Sequence, residues 1–260
     1  MSKLRLKNFE EPSDLKRSDY EPKLLELQHK LALIQAAYIT QGRKGIVAIE
    51  GWDASGKGGL IKRATNVLDP RFTNVWSIGA PTKDELGHQF LWRFWQRLPA
   101  LREIAVFDRT WYGRVLVERV DALVPESVWK AAYDRINAFE AEQCEDGTRV
   151  CKIFLHTTQK EQDKRLRERL ETPWKRWKTG LDDYHNRSMR DAYYEAYEDM
   201  FDKTSTDVAA WHVIAANDKK AARIAGMEAM VAALGKGVDL SYPAIDPELA
   251  KVAEQALGKV

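Results

Sequence analysis

Residues 46–58 constrain the fold more than any other stretch of the chain. The apolar run Ile46-Val47-Ala48-Ile49 leads directly into Gly51-Trp52-Asp53-Ala54-Ser55-Gly56-Lys57-Gly58. A short apolar run bounded by glycine reads as a buried strand, and a helical pattern opens near Lys57. A strand, a glycine-rich turn and a lysine at a helix start together cradle an anion. Backbone N–H groups and the positive end of the helix dipole point at it, and the lysine adds a mobile cation. Glycine at 51 and 56 permits φ > 0 and a close approach to phosphate oxygens. The spacing is that of a P-loop with one departure. Gly58 stands where a Ser or Thr normally follows the lysine and binds Mg²⁺, which leaves Asp53, inside the loop, as the substitute oxygen ligand. Gly51, Ala54, Ser55, Gly56 and Gly58 are the phosphate-binding candidates around Lys57.

Periodicity along the chain predicts strands at 46–50, 72–78, 104–107, 150–155 and 211–215. Helices are expected from Pro22 to Gly42 and over 57–68, 112–122, 125–145 and 218–235, with one strong helix carrying Leu86, Phe90, Phe94 and Leu98 at a spacing of four. Residues 1–20 read as a charged arm, lying on the surface or partly disordered. Residues 158–203 form a basic, helix-rich insertion, and the tail from 238 has room for one short amphipathic helix. Apolar strands alternating with helices predict an α/β fold, a parallel sheet covered on both faces, with ligands at the carboxyl ends of the strands. At 260 residues one large domain is expected, and no internal repeat is present.

The net charge of +2 excludes a general polycation, so affinity for polyanions has to come from local clustering. Cys144 and Cys151 make neither a disulfide framework nor a metal motif. With no apolar leader and no run of transmembrane length, a cytoplasmic protein is expected.

A second motif, Ile104-Ala105-Val106-Phe107-Asp108-Arg109-Thr110-Trp111-Tyr112-Gly113-Arg114, also follows a strand. An acid at the end of an apolar strand beside a P-loop is the usual metal-organising position in phosphoryl transfer. Asp53 and Asp108 are therefore the candidate ligands, for Mg²⁺ held directly or through water. Arg109 and Arg114 offer planar forks suited to phosphate oxygens; alternatively, Asp108 caps a helix and the arginines pair on the surface.

The insertion supplies the third feature. Between Lys160 and Arg190 there are ten Lys or Arg against six Asp or Glu. Arg165 and Arg169 share a helix face, and Pro173 should break that helix before Lys175, Arg176 and Lys178, which alternate with Trp174 and Trp177. Such a segment suits a lid closing on an extended anion; a solvated charged helix pair has the same composition. The five histidines show no ligand spacing, although His156 ends a strand. Trp92 and Trp95 read as core, whereas Trp52, inside the loop, can floor a site.

The runs Glu50–Gly59, Ala80-Pro81-Thr82, Leu91-Trp92-Arg93-Phe94-Trp95, Phe107–Val120, Thr172-Pro173-Trp174-Lys175-Arg176-Trp177-Lys178 and Ala215-Ala216-Asn217-Asp218-Lys219 resemble the second polyphosphate kinase family over roughly residues 20–235. The resemblance implies a P-loop kinase-like three-layer α/β/α sandwich around a five-stranded parallel sheet with a helical lid, assembled as dimers or tetramers. It implies reversible, Mg²⁺-dependent phosphoryl transfer between inorganic polyphosphate and a nucleoside mono- or diphosphate. Carried over, it gives Asp53 and Asp108 the metal-organising positions, Lys57 the P-loop lysine, Arg109 the arginine beside the second acid, and Arg169 a lid arginine that reaches the phosphates; the mechanism expected from the charges adds Lys175, Arg176 and Lys178 to bind or gather the chain. Thr82, Arg114 and Glu118 are the candidates expected to line the nucleotide pocket. Gly113 resembles members that phosphorylate AMP. Two rivals stay open on the residues alone: an ATP-dependent nucleotide or small-metabolite kinase, and a non-catalytic polyphosphate- or nucleic-acid-binding module.

Overall fold

The computed structural model describes residues 3–11, 15–242 and 244–258. Five strands, β1 (Lys44–Gly51), β2 (Thr73–Ser77), β3 (Ile104–Asp108), β4 (Thr148–His156) and β5 (Trp211–Ala215), form one sheet in the order β2-β3-β1-β4-β5. Every pairing is parallel. The loop-bearing strand β1 is therefore central, and the carboxyl ends of β1, β3 and β4 lie side by side. Side chains alternate along β1. Ile46 and Ala48 enter one core, Val47 and Ile49 the other, and all four are buried. A strand apolar on both faces needs cover on both.

The helices in chain order are α1 (Tyr20–Gln41), α2 (Lys57–Thr65), α3 (Lys83–Leu86), α4 (Trp92–Trp95), α5 (Val117–Val120), α6 (Glu126–Lys130), α7 (Ala132–Glu145), α8 (Gln159–Glu171), α9 (Leu181–Ser188), α10 (Arg190–Thr204), α11 (Lys219–Gly235) and α12 (Pro247–Leu257). Helices α1, α2 and α11 cover one face through Leu31, Ile34, Leu60, Met227 and Met230. Helices α7 and α10 cover the other through Ile136, Phe139, Tyr197, Met200 and Phe201. Inside this second core, Lys152 Nζ donates to Glu140 Oε2 (2.7 Å), the Tyr112 hydroxyl (2.9 Å) and the Thr204 carbonyl (2.6 Å). Glu140 Oε1 accepts from Trp111 Nε1 (3.0 Å) and the Tyr112 hydroxyl (2.7 Å). A fully hydrogen-bonded buried network of this kind is rigid. It anchors Trp111 and Tyr112, and with them the Asp108-Arg109 turn just upstream.

Several expectations give way here. The long helix through Leu86 and Leu98 does not form. Thr82 and Glu85 close a capping box on α3, Gly87 ends it, and Glu85 Oε1 draws back Arg93 (3.3 Å) and Arg97 (2.9 Å) from the next segment. Leu86 is left exposed, and so is Trp95, at 44%. Trp92 is half-buried and stacks on His88 at 3.9 Å between ring centroids. The helix expected over 112–122 is a 3₁₀ stretch, Trp111–Val115, followed by α5, with non-helical Leu116 (φ −111°, ψ −96°) between them. The helix expected over 125–145 divides into α6 and α7 at Ala131.

The amino-terminal arm is not merely superficial. Leu6 is fully buried, and Arg5 pairs with Asp202 at 2.9 Å; residues 12–14 lie outside the described residues. The tail does carry its amphipathic helix, α12, none of whose residues is buried. Both cysteines are free, and no helix among the described residues is long and apolar enough to cross a membrane.

Candidate active site

The glycine loop joins β1 to α2 with backbone angles that few residues tolerate. Gly51 has φ +145° and sits so close to β4 that a Cβ would lie 2.5 Å from the Leu155 carbonyl oxygen, so only glycine fits. Gly56 caps α2 at φ +115°, and Ala54 (φ 61°) and Arg109 (φ 64°) are also left-handed without being glycine. Such conformations cost on the order of 1 kcal/mol or more each and cluster at functional sites. The N–H groups of Ala54, Gly56, Lys57 and Gly58 donate to no protein acceptor among the described residues. The Ser55 hydroxyl, buried beside them, is also without a partner among the described residues. Together with the start of α2 they form an anion hole. Lys57 Nζ curls back to the carbonyls of Gly51 (2.8 Å) and Trp52 (3.1 Å), which holds the loop around it.

Asp53 is the best-held acid in the site. Its Oδ1 accepts from Arg109 Nη2 and its Oδ2 from Asn186 Nδ2, both at 2.8 Å. Burial works against its ionisation, but the charges of Lys57 and Arg109 and these hydrogen bonds outweigh it, so its pKa falls below the usual carboxylate value. Burial likewise opposes the Arg109 cation, and Asp53 more than compensates, so the guanidinium is held charged. At the end of β1, Glu50 Oε1 accepts from the Thr110 hydroxyl (2.7 Å), tying the two motif-bearing strands together; burial raises its pKa.

Two cavities open at this edge of the sheet, and they share Asp53, Ile78 and Arg109. The first, of about 990 Å³, lies over the glycine loop and is lined by ten Lys or Arg side chains against four carboxylates, Asp53, Asp108, Glu168 and Asp183. The second, of about 620 Å³, lies behind Trp52 among Phe90, Phe94, Trp111, Tyr193, Leu116 and Val117, with the Arg114–Glu118 pair (2.8 Å) on its wall. Arg114 also lies over the Phe90 ring at 4.8 Å, and burial raises the Glu118 pKa.

Most candidates from the sequence fall on these walls. Ala54, Ser55, Gly56, Lys57, Gly58, Asp108, Arg169, Lys175 and Lys178 line the cationic cavity, Arg114 and Glu118 the apolar one, and Asp53 and Arg109 both. Gly51 faces the apolar side and β4 rather than the anion hole. Arg169 Nη1 donates to the Lys178 carbonyl (2.7 Å) and to Asp183 Oδ1 (3.3 Å), tying the end of α8 to the start of α9. Two candidates lie elsewhere. Thr82 accepts at its hydroxyl from the Glu85 N–H and is outside both linings, because the cap of α3 claims it. Arg176 is outside the cationic lining and donates instead to the Leu170 carbonyl at 2.8 Å.

Other residues acquire roles that spacing did not reveal. Arg165 is buried, and its guanidinium donates to the carbonyls of Ala54, Ser55, Ala216 and Asn217 while pairing with Glu161. It clamps the loop instead of presenting a free charge. Gln162 donates to the Asp53 carbonyl (3.2 Å), and Arg190 lies over the Trp52 ring at 3.9 Å. Trp52 Nε1 donates to His156 Nδ1 (2.9 Å), so that nitrogen carries no proton. Burial pushes the imidazole pKa down to about 4, with Glu10 pulling the other way. Lys62, Arg63, Lys219 and Arg223 extend the cationic wall. Only their shared position at the sheet edge, which the sequence does not display, marks them out.

Among the described residues no group of three or more His, Cys, Asp or Glu is placed to hold a metal. Two carboxylates in a phosphate cavity nevertheless suit a hard cation that keeps several waters and takes the remaining oxygens from phosphate. Asp108 fits best, since its carboxylate accepts no hydrogen bond from the described residues.

Comparison with known proteins identifies the family. The family profile "Polyphosphate kinase 2 (PPK2)" matches residues 14–238. The polyphosphate:AMP phosphotransferase of Pseudomonas aeruginosa is 43% identical over 212 residues, which are 81% of this chain but only 42% of that protein. The chain thus spans less than half the length of that relative. An AMP/ADP-polyphosphate phosphotransferase of Meiothermus ruber is 40% identical over 75% of this chain and 73% of its own. The crystal structure of polyphosphate kinase 2 from Arthrobacter aurescens TC1 superimposes with a TM-score of 0.85 at 31% identity, covering 98% of this chain and 96% of that one. Phosphotransferases of this kind generally require a divalent cation. With its P-loop-type α/β sheet, its paired cavities and these relatives, the chain belongs to the polyphosphate kinase 2 family.

Proposed function

We propose that the protein transfers the terminal phosphoryl group of inorganic polyphosphate to a nucleoside mono- or diphosphate of the AMP/ADP type, and the reverse, with Mg²⁺ as the divalent cation. The reading rests above all on one observation: a strongly cationic cavity and an apolar cavity meet at Asp53 and Arg109. An inorganic polyanion has only charge to offer, and the excess of cations over carboxylates matches it. A nucleotide presents a flat base, suited to aromatic and aliphatic walls, at one end and phosphate at the other.

In this reading the base enters the apolar cavity near Arg114 and Glu118, and its phosphate reaches toward Arg109. The polymer runs along Lys57, Arg169, Lys175 and Lys178 with its terminal group over the free N–H groups of the loop. Mg²⁺ held by Asp53 and Asp108 would neutralise charge between donor and acceptor oxygens. The attacking oxygen is already anionic, so no general base is needed. Lys57 and Arg109 stabilise the equatorial oxygens as the group passes in line. The likeness to the polyphosphate:AMP phosphotransferase of Pseudomonas aeruginosa supports AMP as an acceptor.

The test is a matrix of donors (polyphosphate, ATP) against acceptors (AMP, ADP, GDP) with and without Mg²⁺. Polyphosphate-dependent formation of ADP or ATP, abolished by chelation, is expected. Transfer from ATP alone would assign the site to an ordinary nucleotide kinase.

A further inference from the structure

Helix α9 reaches from the lid across the point where the two cavities meet, and one side chain on it touches the catalytic acid. Asn186 Nδ2 donates to Asp53 Oδ2 at 2.8 Å, and Asn186 Oδ1 accepts from the Tyr193 hydroxyl of α10 at 3.2 Å. The carboxamide has one workable orientation here. Ionised Asp53 can only accept, so the amide nitrogen faces it, and the oxygen is left to the phenol, which donates. The neighbours of Asn186 hold the helix in place. His185 Nε2 lies 2.9 Å from Asp121 Oδ1 on the wall of the apolar cavity, and Arg187 forks onto Asp163 of α8 at 2.8 and 2.7 Å. Asp53 is thereby gripped from the lid at two points, its carbonyl by Gln162 of α8 and its carboxylate by Asn186 of α9.

We propose that Asn186, oriented by Tyr193, is a positioning residue. With the lid down it sets the carboxylate of Asp53 for the divalent cation and for Arg109, so that the acid is correctly aimed only when the lid is closed. The proposal rests on the function proposed above and adds a coupling between lid position and the metal-organising acid. With Oδ1 turned to Arg109 and Oδ2 to Asn186, Asp53 cannot rotate about its last bond without losing a charge-assisted hydrogen bond. An open lid removes one of these two restraints. Residues that orient metal ligands in this way typically change affinity or activity by about 10–100-fold when removed.

The test compares the unaltered protein with Asn186→Ala and Tyr193→Phe in three measurements. These are Mn²⁺ affinity by electron paramagnetic resonance, hydrogen exchange across residues 181–188, and steady-state transfer from polyphosphate to AMP. For Asn186→Ala the expected result is Mn²⁺ binding weakened about 10-fold or more, faster exchange in α9, and kcat lowered about 10–100-fold with KM for AMP within about threefold. Tyr193→Phe keeps the bond to Asp53 but frees the carboxamide, so it should move the same three quantities by a smaller factor. Mn²⁺ affinity and kcat both within about twofold of the unaltered protein for Asn186→Ala would overturn the proposal. If the unaltered protein binds Mn²⁺ yet moves no phosphate from polyphosphate to AMP or ADP, the functional reading fails, while the Mn²⁺ and exchange comparisons still decide the role of Asn186.

Discussion

The cavity over the glycine loop is walled by ten Lys or Arg side chains, whereas the cavity behind Trp52 is walled largely by aromatic and aliphatic groups, with Arg114 and Glu118 paired among them. The difference shows which binding partner each can distinguish. Cations in excess over carboxylates hold any extended phosphate and discriminate little among them. Apolar walls with oriented ion pairs set into them discriminate by shape and hydrogen bonding. Choice of acceptor should therefore reside behind Trp52, and chemistry at the boundary, where Asp53 and Arg109 belong to both.

The severest way to break this division is at the boundary and the loop. Lys57→Ala should lower kcat by about 100- to 1,000-fold while circular dichroism still reports a folded protein, since removal of a preorganised stabilising group costs on that scale. Retention of a tenth of the activity would remove Lys57 from the chemistry. Arg165→Met tests the loop from behind. It strips donors from four carbonyls and an ion partner from Glu161, so a loss of about 3–5 kcal/mol in urea unfolding is expected.

The floor under Trp52 gives a pH test. His156 titrates near 4 when folded, against about 6.5 when unfolded, so the unfolded chain takes up its proton first as pH falls. The contribution of neutral His156 to stability is whole above about pH 6.5 and drains away between there and about pH 4. In thermal melts from pH 7 to 4, the gap between the unaltered protein and His156→Gln should narrow with acidification; a constant gap would show that the imidazole does not titrate this way.

Glu118→Gln sharpens the comparison between cavities. It should raise KM for the nucleotide roughly 10-fold, with KM for polyphosphate unchanged, because loss of one charged partner in a buried site costs about 1–2 kcal/mol. Thr82→Ala should be the mildest, with KM for nucleotide unaltered and stability lower by about 1 kcal/mol from the lost helix cap.

How much of this was legible in the sequence depends on how local its cause is. The order of strands and helices, the glycine loop and the Asp108-Arg109 turn follow from contiguous residues, and the structure keeps them. The long helix through Leu86 and Leu98 fails because Glu85 pairs with Arg93 and Arg97 after Gly87 has turned the chain, which overrides the apolar spacing. Arg165 and Arg169 share a helix and a charge but face different surroundings, one buried against the loop carbonyls and the other toward the phosphate cavity. Asn186 contacts Asp53 across 133 residues of chain, and no spacing rule reaches that far.

The central claim is that nucleotide and polymer occupy separate cavities that meet at Asp53 and Arg109. Calorimetric titration of AMP into Asp108→Asn protein, first free and then saturated with polyphosphate, tests it most directly, since impaired turnover lets both ligands be present together. The account predicts one AMP per chain in both titrations, with affinities that differ by less than about threefold. Loss of AMP binding once polyphosphate is bound would mean that the two compete for one cavity, and would contradict it.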